Sequence, residues 1–371
     1  MKDSYIHAEN MAVGYQRRPL IEGIDLTLRP GEIVTLIGPN GSGKSTILKS
    51  MIRQLPLISG AVYYGAQDMK NLPEKELAKK ISILMTQKFH TERMSCEELV
   101  AMGRYPYTNT LGILTSHDRQ IIKEAISLVQ AEAVADKNFE EISDGQRQRI
   151  LLARAICQEP EVMVLDEPTS FLDIRHKLKL LSILKELVQK KKIAILLSLH
   201  ELDLAQKISD RVICIRDHKI DRFGTPEEIF SDRYIEELFA LEEGSYDACF
   251  GSMELLAVKK EPEIFVIAGG GSGISTYRNL QKKGIAFATG ILSENDIDYH
   301  VGRRLAAEII SEKAFSPIRE ETYERAEKIL KRCKNVMCTL KEFGEYNQAN
   351  RKLLDYAGKT GKLLVGKRFL L

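Results

Sequence analysis

An apolar run, Ile33-Val-Thr-Leu-Ile37, passes directly into Gly38-Pro-Asn-Gly-Ser-Gly-Lys-Ser45 and then into a helix-forming stretch that reaches Arg53. Strand, glycine loop and helix in that order are the context a phosphate-binding loop requires. Gly38, Gly41 and Gly43 let the backbone bend so that successive N–H groups point inward at phosphate oxygens, and the helix N-terminus adds its partial positive charge. Lys44 is placed to reach β- and γ-phosphates, and the Ser45 hydroxyl to bind Mg2+. Nucleotide contacts are expected from Gly38, Pro39, Asn40, Gly41, Ser42, Gly43, Lys44, Ser45 and Thr46. Taken alone, the loop also admits the plainer reading of an ordinary tight turn.

A second stretch narrows the choice. Val162-Met-Val-Leu165 has the pattern of a buried central parallel strand and ends in Asp166, Glu167 and Pro168. The carboxyl end of such a strand is where a doubly wound sheet places its ligands. Asp166 is suited to the Mg2+ shell, and Glu167 to polarising an attacking water. A strand that merely ends in solvated acids is the alternative, and the glycine loop upstream argues against it. Between the two stretches lies Ser143-Asp-Gly-Gln146. In this order the three point to one site that binds and hydrolyses ATP.

On these motifs the chain resembles the ATP-binding subunits of ABC transporters, over roughly residues 4 to 240. The resemblance implies an α/β P-loop NTPase of ABC type, with a parallel core sheet, an antiparallel β subdomain and a helical subdomain at about 88–142. It also implies roles. Tyr15 lies where the family stacks an aromatic ring on adenine, a core tyrosine being the alternative. Gln87, in Leu84-Met-Thr-Gln87, resembles the glutamine that touches Mg2+ and connects to the helical subdomain. Ser143, Gly145 and Gln146 resemble the signature that contacts ATP held by the opposite subunit. Asp173, in Ser170-Phe-Leu-Asp173, resembles the loop that crosses the dimer interface, and His200, in Leu197-Ser-Leu-His200, the switch histidine that contacts the γ-phosphate. Catalysis is thus expected from Glu167, His200, Lys44 and Gln87, with Ser45, Gln87 and Asp166 around the metal. The signature departs from the family, which usually has Gly-Gly where this chain has Asp144-Gly145. Asp144 favours the helix but would repel phosphate if turned inward, so it is expected to point away from the nucleotide. Ile142 for leucine and Phe171 for alanine are milder changes.

The bulk properties agree. With 371 residues and a net charge of +2, the chain is long enough for two or three cores, and nothing draws it to nucleic acid or anionic lipid. The start, Met1 to Asn10, lacks an apolar signal core, and no run approaches bilayer length, so a position at the cytoplasmic face of a membrane would depend on a partner. Six cysteines without a Cys-x-x-Cys pair read as free thiols. The resemblance implies ATP and Mg2+ as cofactors, a second identical subunit, polytopic permease subunits and, indirectly, an extracytoplasmic substrate-binding protein. Met102-Gly-Arg-Tyr-Pro-Tyr107 is similar to the arm of subunits serving importers of iron chelates, haem and cobalamin. A soluble ATPase of the same fold acting on DNA or ribosomes is the alternative; one cassette, no sustained heptads and no basic arm weigh against it.

Short β-branched runs from Tyr5 to Tyr64 suggest an antiparallel sheet. Helices are expected from Ser95 to Met102, Arg119 to Val129, Gln146 to Ile156 and Ile174 to Gln189, and a strand from Ile193 to Leu197. Beyond an ATP-binding domain at 1–258 the pattern changes to a small Rossmann-like α/β domain at 259–371. Its strands are expected at 264–268, 285–288, 336–340 and 363–365, and its helices after 273 to Lys282 and near 299–311, 320–333 and 348–357. Gly269-Gly-Gly-Ser-Gly273 lacks the last glycine of a dinucleotide fingerprint, Ile274 standing in its place, and has no Gly-Lys-Ser. Its backbone N–H groups are nonetheless expected to be open to an anion, with Asp296, Asp298 and Asn347 near strand ends. A small-ligand or nucleotide site and a packing or dimerisation module both remain open.

Overall fold

The computed structural model describes residues 4–85, 93–109, 111–231, 233–248 and 250–364. The chain divides into two compact units, residues 1–239 and 240–371. This division falls earlier than the expected 258/259. The hairpin that follows residue 240 belongs with the second unit because its acids pair there, Asp247 with Arg304 at 3.1 Å and Glu254 with Arg278.

The strands of the first unit are β1 (Ile6–Tyr15), β2 (Arg18–Leu28), β3 (Ile33–Ile37), β4 (Ser59–Tyr64), β5 (Gln67–Asp68), β6 (Ile81–Leu84), β7 (Val162–Asp166), β8 (Ala194–Ser198), β9 (Arg211–Arg216) and β10 (Lys219–Gly224). Its helices are α1 (Lys44–Met51), α2 (Glu74–Lys80), α3 (Cys96–Ala101), α4 (Ser116–Leu128), α5 (Asp144–Cys157), α6 (Ile174–Lys191), α7 (Leu202–Ile208), α8 (Pro226–Ile229) and α9 (Tyr234–Leu238). One sheet, ordered β2-β1-β4-β5, is the antiparallel layer expected between Tyr5 and Tyr64. The other, ordered β10-β9-β3-β8-β7-β6, is parallel except for the edge pair β9-β10. Strands β3, β7 and β8 are buried along their whole length, the state their unbroken apolar runs call for.

Helix starts follow local capping chemistry. Ser95, Thr115 and Ser143 each accept from the backbone N–H three residues on, while Glu98, Asp118 and Gln146 return the bond. Between α3 and α4, Met102–Tyr107 forms a 3-10 turn whose Arg104 is buried. That guanidinium is held by Asp118 at 2.9 Å and Glu159 at 2.8 Å, tying the turn to α4 and to the end of α5. Thr115, through its hydroxyl and its backbone N–H, holds the Asp118 carboxyl down at about 2 against burial, and Arg104 adds to the effect.

In the second unit β11 (Gly244–Asp247) and β12 (Ser252–Leu255) form the hairpin. A four-stranded parallel sheet follows, built from β13 (Ile264–Ile267), β14 (Phe287–Ser293), β15 (Glu308–Glu312) and β16 (Asn335–Cys338) in the order β15-β14-β13-β16. Helices α10 (Ile274–Lys282), α11 (Ile297–Leu305), α12 (Glu320–Arg332) and α13 (Gln348–Lys359) alternate with the strands. Two apolar clusters, one around Phe265, Ile310 and Leu353 and one around Val266, Tyr277 and Phe287, cover the opposite faces of β13. The helix expected over 299–311 is therefore shorter. It stops at Leu305, and Glu308-Ile-Ile-Ser-Glu312 pairs with β14 instead. Alternation explains the correction, since Ile310 and Glu312 are buried while Ile309 and Ser311 are less so. The strand expected at 363–365 is reduced to a bridge between Leu363 and Val336, and Val365 lies outside the described residues.

Candidate functional site

The loop between β3 and α1 is shaped by glycine where nothing else fits. Gly38 has φ 150°, and a Cβ there would stand 2.2 Å from the carbonyl oxygen of Ile215. At Gly43, with φ 105°, a Cβ would meet Ile21 Cδ1 at 2.6 Å. Lys44 is only 6% exposed, and its Nζ donates to the carbonyls of Gly38 at 2.8 Å and Pro39 at 3.0 Å. Burial pushes its pKa down, while Glu167 and Asp166 pull it up. Ser42 Oγ is buried inside the loop without a hydrogen-bond partner among the described residues. A buried ammonium and an orphan hydroxyl in a loop that leaves no room for a Cβ at Gly38 or Gly43 fit the phosphates of a nucleotide. Ser45 is half-buried at the start of α1, and the Tyr15 hydroxyl lies 3.3 Å from Thr46 Oγ1 with the residue 52% exposed. Tyr15 is thus no core tyrosine, and its ring borders the loop.

Beside this loop lies the end of β7. Register pairs Asp166 with Ser198 of β8, and the serine Oγ donates to Asp166 Oδ1 at 2.7 Å. The same Oγ accepts from the Glu167 backbone N–H at 2.9 Å. Glu167 has φ 48°, a left-handed conformation that costs a non-glycine residue of order 1–3 kcal/mol and clusters at functional sites. From there its Oε1 reaches His200 Nε2 at 2.5 Å, and its Oε2 accepts from Ser170 Oγ at 3.3 Å. The strand order β3-β8-β7 explains the gathering. Lys44 follows β3, His200 follows β8 and Asp166 with Glu167 ends β7, so residues far apart in sequence share one sheet edge.

Some participants carry no local signal in the sequence. Ser198 is visible only through its register with Asp166. Gln148, buried in α5, donates from Nε2 to the Pro168 carbonyl at 3.1 Å and so connects the signature helix to the turn after Glu167. Glu201 accepts from Thr169 Oγ1 at 2.8 Å and from Lys177 Nζ at 2.6 Å, bracing the same turn.

Ser143, Gln146 and Asp173 bond within their own helix caps rather than to the glycine loop. Ser143 N–H donates to Gln146 Oε1 at 3.0 Å, and Asp173 Oδ1 accepts from the His176 backbone N–H at 2.8 Å. These bonds hold the Asp173 carboxyl below its ordinary value. A Cβ at Gly145 would make only ordinary contact, 3.5 Å from the Phe171 carbonyl, so packing inside this chain does not demand a glycine there. Asp144 turns toward Arg147, 3.4 Å away, and is exposed. Gln87 lies outside the described residues.

The second glycine loop overturns an expectation. Its N–H groups at Gly270 and Gly273 are not open to an anion from outside, because acidic side chains of the chain itself take them. Gly270 N–H donates to the Asp296 carboxyl, with oxygens at 2.9 and 3.0 Å, and Gly273 N–H to both Asp298 oxygens at 3.1 Å. Asp298 is fully buried; desolvation raises its pKa against the pull of the Gly273, Gly271 and Ile274 backbone donors. Among the described residues no group of His, Cys, Asp and Glu has the arrangement of a metal site, and no helix is long and apolar enough to cross a membrane.

With this geometry in hand, three comparisons bear on kinship. The family model described as ABC transporter matches residues 21–170, and one described as the MJ0874 family matches residues 287–368. An uncharacterised ABC transporter ATP-binding protein of Methanocaldococcus jannaschii is 41% identical, over 78% of this chain and 100% of the relative. The iron(3+)-hydroxamate import ATP-binding protein of Bacillus subtilis is 34% identical over 64% of this chain and 88% of its own length. A solved structure described as a metal-chelate type ABC transporter in an inward-facing conformation matches with a TM-score of 0.57 at 27% identity, covering 65% of this chain and 90% of that one.

Proposed function

The chain belongs to the ATP-binding proteins of ABC transporters and is an ATPase of that family, and from this premise we propose that it is the energy-coupling subunit of an importer in the iron-chelate, haem and cobalamin class. The iron(3+)-hydroxamate relative and the metal-chelate structure favour an iron chelate among these. The observation that carries the reading is the meeting of Lys44, Asp166 and the hydrogen-bonded pair Glu167–His200 at one edge of a parallel sheet.

In this proposal the nucleotide phosphates lie in the loop from Gly38 to Thr46, with adenine against Tyr15. Lys44 exchanges its bonds to the Gly38 and Pro39 carbonyls for phosphate oxygens. Mg2+ neutralises the phosphate charge when bound; Ser45, Asp166 and Gln87 would hold it. Glu167 orients and deprotonates the attacking water, and His200, already bonded to Glu167, senses the γ-phosphate. Ser143, Gly145 and Gln146 serve the ATP of a second copy, across which Asp173 reaches. The freedom around Gly145 supports this assignment, because close approach from another chain gives the glycine a reason that internal packing does not.

A groove of about 510 Å3 is lined by Leu77, Met85, Met102, Gly103, Leu151 and Arg154, among others. Lined mainly by apolar residues, with Arg53, Arg154 and Glu74 among the polar ones, it supports docking of a permease segment at the cytoplasmic membrane face. The extracytoplasmic binding protein of such a system would be reached only through the permease. Purification of the tagged full chain from membranes with ATP and Mg2+ tests the reading. Recovery of a polytopic permease is expected; recovery of only ribosomal or DNA-bound partners would replace it.

A further inference from the structure

We infer that the second unit binds a nucleoside, taken without phosphates. A cavity of about 510 Å3 opens at the carboxyl edge of its sheet, bounded by Gly269 after β13, Ser293 at the end of β14 and Tyr346 after β16. Its volume falls within the roughly 300–1,000 Å3 of small-molecule sites. Open parallel sheets bind ligands outside these strand ends. In the order β15-β14-β13-β16, β14 is the second strand of the motif, and Asp296 follows it. Dinucleotide folds place at this position the carboxyl that accepts a ribose hydroxyl.

The lining states the rest of the chemistry. It holds Asp296, Glu312 and Glu345 and, among the described residues, no lysine, arginine or histidine. Glu312 is already committed, to Arg319 at 2.9 Å and to the Thr322 hydroxyl at 2.7 Å. Asp296 spends its bonds on the Gly270 and Asp298 N–H groups and keeps acceptor capacity on Oδ2. Asn347 lines the cavity with a buried Oδ1 that has no partner among the described residues. The site is therefore rich in acceptors and waits for donors, such as sugar hydroxyls and a ring amine. Two aromatic side chains complete it, Phe315 at 88% and Tyr346 at 73% exposure, surfaces on which a flat base can stack.

Phosphate is refused on two grounds. The glycine loop that would cradle it is filled by Asp296 and Asp298, and the lining offers carboxyl groups and no cation. The ligand is thus the uncharged half of a nucleotide. This inference stands apart from the ATPase reading, since no residue of the first unit enters it.

Equilibrium dialysis of the full chain against adenosine, guanosine, cytidine and uridine, each compared with its 5′-monophosphate, tests it. At least one nucleoside should bind saturably, with its monophosphate at least tenfold weaker. Tyr346→Ala and Phe315→Ala should each weaken that binding by about fivefold, the low end of what one stacking ring contributes. Both rings are exposed, so neither change removes core packing. The inference is overturned if no nucleoside binds saturably, if binding is unchanged in both variants, or if the monophosphate binds as tightly through the same two rings.

Discussion

The two glycine loops of this chain start alike and finish differently. Each follows a buried parallel strand and opens a helix, Gly38–Gly43 after β3 and Gly269–Gly273 after β13. In the first, a buried lysine folds back on the loop and a serine hydroxyl is left unpartnered. In the second, two acidic side chains from the start of α11 occupy the N–H groups. A glycine loop is thus a frame, and the charge of what lies across it decides whether a phosphate can enter. Asp296-Ile-Asp298 plays inside the second unit the part proposed for a nucleotide phosphate in the first.

The contrast can be broken at several points. Lys44→Ala should have the largest effect, lowering ATP turnover by about 10³-fold, because positioning and charge carry phosphoryl transfer. Steady-state phosphate release measures it; turnover within tenfold of wild type would show that the first loop is not the phosphate site. Gly38→Ala should destabilise the first unit by about 3 kcal/mol, since its Cβ meets a backbone carbonyl that cannot step aside. Urea denaturation reads this loss.

Asp298→Ala should cost about 1–3 kcal/mol by stranding the N–H of Gly273. Hydrogen exchange at residues 270–274 should accelerate with it, and unchanged protection would mean the carboxyl does not hold the loop. The pH dependence has a definite sign. Burial raises the Asp298 pKa above its ordinary 3.8, so its contribution is full below that value and is lost as pH rises through the folded pKa. Asp298→Asn should accordingly gain stability relative to wild type as pH is raised. The smallest effect belongs to Gly270→Ala. With φ 61° and open space around the missing Cβ, only left-handed backbone strain of about 1 kcal/mol is expected, against the larger penalty at Gly38.

Much of this was readable in the sequence where the signal is local. The strand, loop and helix at 33–53, the helix start at Ser95, and the buried strand ending in Asp166 all depend on neighbours within a few residues. Partners set by strand register were not readable. Ser198 meets Asp166 only because β7 and β8 are adjacent, and Gln148 meets Pro168 only once α5 is packed. The filling of the second loop was missed for the same reason. Asp296 and Asp298 reach it across a βαβ unit, and nothing near Gly269 in sequence announces them. The short strand Glu308–Glu312 was hidden by the helix before it, whose pattern runs into it without a breaking residue.

The most direct test of the ATPase site is Glu167→Gln in the full chain, with ATP binding, dimerisation and turnover measured side by side. The Glu167–His200 arrangement predicts that ATP still binds and holds two copies together while hydrolysis falls by about 10²–10⁴-fold, the range that a general base contributes. Hydrolysis at the wild-type rate would contradict it and remove Glu167 from the reaction.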